Sequence, residues 1–153
     1  SSDFPTFALV EPWKFVYLNT QVQNEEYGQV CSDSLKFLRS HISAKDASFL
    51  VIFMHHPPFS VGSNWIDKIG LKAGRDEFLR LIQHPKIKLV VSGHVHQESQ
   101  MEIGSVKLVT SPSTCVQFKP YSDVFALGNS NPGYRLITLW ENGEFSTEVV
   151  RLT

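Results

Sequence analysis

Two runs of apolar residues, each closing on histidine, restrict this chain more than any other feature. Lys88-Leu89-Val90-Val91-Ser92 leads through Gly93 to His94-Val95-His96-Gln97, and Phe49–Met54 leads into His55-His56-Pro57-Pro58. A short apolar run without alternation reads as a strand buried on both faces, the habit of a parallel sheet covered by other layers. Gly93 turns the first run, and the prolines, which cannot donate to a ladder, end the second. In an extended segment alternate residues share a face, so His94 and His96 are expected to converge on one pocket while Val95 points away. Each of two buried strands therefore delivers histidine at one end.

The flanking sequence supplies the layers. Phe7–Val10 and residues 15–18 are apolar runs separated by Glu11-Pro12-Trp13 and read as a hairpin. Residues 19–29 are polar and read as a loop. Ser32-Asp33 offers a cap, and Leu35, Leu38 and Ile42 recur at helical spacing, which predicts a helix over 33–43. Residues 57–74 read as one long loop, of the kind that carries function. Phe78, Leu81 and Ile82 predict a second helix over 75–83, stopped at His84-Pro85. After Gln97 the pattern shortens to strands at 101–103, 106–109, 124–127, 135–140 and 145–152. Gly104-Ser105 and Asn142-Gly143 stand at hairpin turns, the latter pair suited to type I′. The sum is an α/β layered domain, a single unit over 1–153, with histidines at the strand ends where open α/β sheets place their sites.

Composition narrows the function. A chain of 153 residues with 42% hydrophobic and 19% charged residues can bury a sizeable core. A net charge of -1 gives no electrostatic footprint for nucleic acid or an anionic membrane surface. No apolar run reaches the roughly 18 residues that span a bilayer, and no signal-peptide pattern opens the chain. The two cysteines, Cys31 and Cys115, are far apart, which favours a reducing, cytoplasmic setting over a disulfide framework. Cys115 reads as a small buried core residue.

Histidine beside proline at one strand end and after glycine at another has no structural necessity, and metal ligation accounts for both. Three histidines with water complete a catalytic zinc site. His55 leaves its strand first and is the expected ligand with His94 and His96; His56 follows as a substrate contact or a group supporting the ligands. His41 and His84 fall in or at the ends of helices and read as surface or cap residues. A dinuclear phosphoesterase site also needs carboxylates, one commonly bridging the ions. Asp3, Asp33 and Asp46 lie in a terminus, a helix cap and a turn rather than at strand ends, and Asp67, Asp76 and Glu98 read as solvated loop or helix residues.

Over nearly its whole length the chain resembles the C-terminal half of the bacterial cyclic AMP phosphodiesterases, within the calcineurin-like metallophosphoesterases. The likeness rests on His55-His56-Pro57-Pro58, Trp65-Ile66-Asp67, Gly93-His94-Val95-His96-Gln97-Glu98 and the segment from Pro112 to Pro120. Gly133-Tyr134-Arg135 and the closing Glu148-Val149-Val150-Arg151-Leu152 also fit. The resemblance implies the second half of a four-layer α-β-β-α sandwich, a mixed sheet with helices on one side and antiparallel C-terminal hairpins. It implies two divalent or mixed-valence transition metal ions, for which iron, manganese or zinc suit nitrogen-rich ligands, with His55 and His94 on the second ion and His96 on the first. Water activated between the ions would attack phosphorus in line and open the cyclic nucleotide.

The family's remaining ligands come from Asp-x-His, Gly-Asp-x-x-Asp and Gly-Asn-His motifs, none of which occurs in this sequence. Gly128-Asn129 is followed by Ser130 and lies on the wrong side of the histidines. Asn19 stands where the family typically has aspartate. The expectation is therefore a truncated enzyme with no catalytic residue of its own, inactive alone, binding metal weakly, and self-associating through an apolar sheet face left uncovered. Two other readings stay open: a phosphoesterase for another phosphate ester, and a non-enzymatic metal-binding or assembly module built on three histidines.

Overall fold

The computed structural model describes residues 7–153; Asp3 lies outside them. The elements run β1 (Phe7–Val10), β2 (Trp13–Leu18), β3 (Gly28–Gln29), α1 (Ser32–Ser43), β4 (Phe49–Met54), α2 (Asn64–Asp67) and β5 (Leu71–Ala73). There follow α3 (Arg75–Leu81), β6 (Ile87–Ser92), β7 (Gln100–Ile103), β8 (Val106–Thr110), β9 (Gly133–Leu139) and β10 (Phe145–Arg151). Six strands form a mixed sheet in the order β1-β2-β4-β6-β8-β7. Its four inner strands are parallel and both edges antiparallel.

Burial on both faces explains the uniformly apolar central strands. On one face Val16, Leu50, Ile52, Val90 and Leu108 meet Leu35 and Leu38 of α1 and Phe78 of α3. On the other, Trp13, Val51, Leu89, Val91 and Val109 pack with Ile137, Leu139 and Phe145 of the β9–β10 hairpin. The Trp13 indole donates to the Trp140 carbonyl at 2.8 Å, fastening hairpin to sheet. Successive residues of β4 thus serve opposite cores, as a period of two requires.

The hairpin corrects the expectation of a bare sheet face, because the chain covers the β6 and β8 side itself. What stays partly open is the C-terminal part of β2 and β4, where half-buried Phe15 and Phe53 and exposed Tyr17 form an aromatic strip with Tyr17 and Phe53 stacked at 5.4 Å. Lys14 points into the helix-side layer, fully buried, and is neutralised by Asp46.

Local differences have physical causes. Cys31, not Ser32 or Asp33, is the N-cap of α1; Asp33 is already helical and reaches Lys36 at 3.2 Å. The stretch read as one loop over 57–74 contains α2 and β5, and β5 pairs with β3 in parallel. Residues 124–127 form no strand beyond the Phe118–Leu127 bridge, since Val124, Phe125 and Leu127 are exposed and find no sheet to join. At the β9–β10 turn only Gly143 has positive φ, 86°, so the turn is type I followed by a left-handed glycine rather than type I′. Cys115 is exposed, as is Cys31; neither belongs to the core. Among the described residues no helix is long and apolar enough to cross a membrane.

Candidate metal centre

Neighbouring parallel strands bring the histidines together. β4 and β6 run in register from Ile52 opposite Val90 to Met54 opposite Ser92, so their C-terminal ends emerge side by side. The Gly93 N–H then donates to the His55 carbonyl at 3.0 Å, placing the residues after each strand in contact.

One ring nitrogen from each of His55, His56 and His94 falls within 4.8 Å of the others. His94 Nδ1 stands 3.3 Å from His55 Nε2. Two nitrogens bound at about 2.0–2.1 Å to one tetrahedral ion lie about 3.3–3.4 Å apart, so this pair has the span of two ligands on a single ion. The other nitrogen of His94, Nε2, is buried without a hydrogen-bond partner.

His56 is held differently. Its Nε2 donates to the Glu26 carbonyl at 3.0 Å, which leaves Nδ1 to accept from the Thr20 hydroxyl at 2.8 Å. Both ring nitrogens are committed, and the ring is buried. β3 brings the backbone so close that a Cβ on Gly28 would lie 2.3 Å from His56 Nδ1; only glycine fits there.

The Gly93–His96 segment is not extended. His94 and His96 both occupy the left-handed region, with φ of 62° and 48°, and the Val95 N–H closes a tight turn onto the Gly93 carbonyl at 2.7 Å. Val95 is drawn into the helix-side core. Left-handed backbone at a non-glycine residue costs on the order of 1–3 kcal/mol, a strain that collects at functional sites. The turn sends the rings to different neighbours. His96 donates from Nδ1 to the Val116 carbonyl at 3.0 Å and stacks on Phe118 with centroids 4.3 Å apart, outside the close group of the other three.

Burial favours the neutral form of His55, His56 and His94. For His94 it is the largest cause of a pKa lowered to about 4, with the His56 and His55 rings adding to the fall and the Ile69 backbone opposing it. His55 is lowered by burial, then by His56 and His96; His56 is lowered by burial against the Glu26 backbone. Neutral imidazoles keep the lone pairs that metal ligation needs.

The histidines line one wall of an open cleft of about 670 Å³, with Thr20, Trp65 and Phe118 among its other walls. Asp67, read from sequence as a solvated loop residue, is a structural carboxylate. It accepts from Ser60 Oγ at 2.6 Å, from the Val61 N–H at 2.9 Å and from the Gly62 N–H at 3.1 Å, and so shapes the loop leading into α2, which carries Trp65. Asp33, Asp76 and Glu98 stay outside the histidine group, Glu98 lying 3.7 Å from Arg151. Thr20 and Phe118 were missed by sequence reasoning; a hydroxyl 36 residues from its histidine partner leaves no local signal.

The family model for calcineurin-like phosphoesterase matches residues 6–98. A 3′,5′-cyclic adenosine monophosphate phosphodiesterase, CpdA, from Vibrio vulnificus is 39% identical over 141 residues, 92% of this chain and 51% of its own length. A 3′,5′-cyclic-nucleotide phosphodiesterase from a Nostoc species is 36% identical over 140 residues, 92% of this chain and 53% of its own. The chain thus spans about half the length of these relatives. Among solved structures, a purple acid phosphatase from yellow lupin superposes with a TM-score of 0.65 at 11% identity, over 95% of this chain and 30% of that one, a likeness of fold. A matching family model over most of the chain, histidines at adjacent parallel strand ends and the shared fold agree: the chain belongs to the calcineurin-like phosphoesterase family.

Proposed function

We propose that this chain forms the histidine wall of a two-metal phosphodiesterase site that opens a cyclic nucleotide, cyclic AMP in the first instance, to the nucleoside monophosphate. The observation that carries this is the 3.3 Å separation of His94 Nδ1 and His55 Nε2 at the ends of adjacent parallel strands. His55 and His94 share one ion in this reading. His96 serves the other through Nε2, since its Nδ1–H is anchored on the Val116 carbonyl in the manner usual for ligating histidines. His56 is a poorer ligand, both its nitrogens being engaged; it borders the substrate and holds Thr20 and Glu26 in place. Iron, manganese or zinc bound there would supply Lewis acidity and an activated water. The chain's own residues orient the imidazoles and line the cleft, and burial favours the neutral form of His55 and His94.

The carboxylate, asparagine and histidine motifs that complete such sites are absent from this sequence, so the chain alone binds metal weakly and hydrolyses nothing detectable. The aromatic strip of Phe15, Tyr17 and Phe53 pairs two copies, which sedimentation tests directly: a strictly monomeric species removes this part of the proposal. For the activity, a chimera supplying the family's three absent motifs ahead of residue 7 is assayed with metal on cyclic AMP and on an aryl phosphodiester. Metal-dependent cleavage abolished by His94→Ala or His96→Ala is the expected result. An inert chimera, with tight stoichiometric zinc on the present chain, makes the histidines structural.

A further inference from the structure

We propose that Trp65, backed by Phe118 and Phe125, is the platform on which the substrate's nucleobase stacks; this rests on the phosphodiesterase reading above. Trp65 and Phe118 face the same cleft as His55, His56 and His94. A cyclic nucleotide carries its phosphodiester and its planar base on different sides of one ribose, and the same cleft is lined by both imidazoles and aromatic rings. Its volume of about 670 Å³ falls in the range of small-molecule sites.

The aromatic wall is built rather than incidental. Trp65 meets Phe118 edge to face at 5.0 Å and Phe125 at 5.2 Å, and the two phenylalanines lie 5.6 Å apart. Phe118 is clamped on its other side by His96, stacked at an interplanar angle of 5°, so the platform is mechanically joined to a proposed ligand. Asp67 orders the loop behind Trp65 through three hydrogen bonds. Asn64, the residue before Trp65, bonds Asp123 in the segment that carries Phe125. Trp65 Nε1 has no hydrogen-bond partner, so packing alone positions the indole and its one polar group is uncommitted. A buried tryptophan is normally satisfied at this atom, whereas Trp65, partly buried against the helix-side core, leaves it without a partner. Base stacking on aromatic faces is strong and indifferent to base identity, so this platform selects for nucleotides over simple phosphodiesters without choosing among bases.

The test uses this chain in zinc high enough to fill its weak site and follows the indole N–H resonances of Trp13, Trp65 and Trp140 by NMR. Cyclic AMP is the probe, and ribose 5-phosphate and inorganic phosphate are the base-free controls. Cyclic AMP is expected to shift the Trp65 resonance alone. Trp65→Leu should weaken cyclic AMP binding about tenfold and ribose 5-phosphate binding far less, and Trp65→Phe should retain most of the affinity. If cyclic AMP leaves the Trp65 resonance unmoved, or Trp65→Leu weakens ribose 5-phosphate as much as cyclic AMP, the platform is refuted while phosphate binding still supports the phosphodiesterase reading. If neither phosphate nor cyclic AMP binds the zinc-loaded chain, both readings fall.

Discussion

Thr20→Val isolates the bond that fixes His56. The hydroxyl is buried, stands 2.8 Å from His56 Nδ1, and is replaced by a methyl group of nearly the same shape. Leaving a buried acceptor without its donor costs about 1–3 kcal/mol, and the extra apolar carbon returns about 0.8 kcal/mol, for a net loss of about 0.2–2.2 kcal/mol. For a chain of this size each kcal/mol moves the unfolding midpoint by roughly 2–4 °C, so a fall of up to about 9 °C is expected. Circular dichroism melts in chelator, at a pH where every histidine is neutral, measure this without interference from metal. Thr20→Ser keeps the hydroxyl and serves as the control for volume. Histidine nitrogen shifts provide a second reading: the native ring carries its proton on Nε2, toward Glu26. A Thr20→Val protein that melts at or above the native midpoint, or a native ring protonated on Nδ1, would refute the account of how His56 is held.

Three other perturbations probe the frame around the site. Phe78→Ala empties a fully buried position of α3 against the sheet and should cost about 3–5 kcal/mol by denaturant titration. Gly28→Ala drives a Cβ into the His56 ring, so a loss of about 1–3 kcal/mol should appear together with displaced His56 resonances; a stability loss with those resonances unmoved contradicts the contact. Asp46 is held below the usual carboxylate range chiefly by its hydrogen bond from Lys14, with the Lys14 charge and His41 contributing. A depressed folded-state pKa means the unfolded chain binds the proton more readily. This stabilisation is therefore present above the unfolded value and lost as pH falls through the folded one. Melting points measured from pH 6 down to pH 2 should fall less steeply in Asp46→Asn than in the native chain, and equal slopes would show that the pair contributes nothing.

The strands that carry the site were legible because burial on both faces leaves an uninterrupted apolar run, and β4 and β6 have that signature. α1 and α3 were legible from three or four apolar residues at helical spacing. The four residues of α2 and three of β5 are too few to establish a period, which is why they vanished into a long loop. Val124, Phe125 and Leu127 misled because apolar character was taken for burial, whereas all three are exposed and Phe125 packs on Trp65. The histidines stand out in the sequence by residue type and position. Their arrangement does not, because left-handed backbone at His94 and His96 has no signature in a non-glycine residue. Periodicity predicted an extended segment there, and the turn at Gly93 gave the two rings different neighbours.

Those two left-handed histidines also bear on how the protein could be altered. Glycine adopts such backbone without strain and asparagine tolerates it, so either at position 94 or 96 should relieve about 1 kcal/mol or more that histidine imposes. A redesign guided by thermal stability would choose those replacements early and would erase the candidate centre while the fold improved. Stability and metal chemistry pull in opposite directions at these two positions, and retaining imidazole there favours the chemistry.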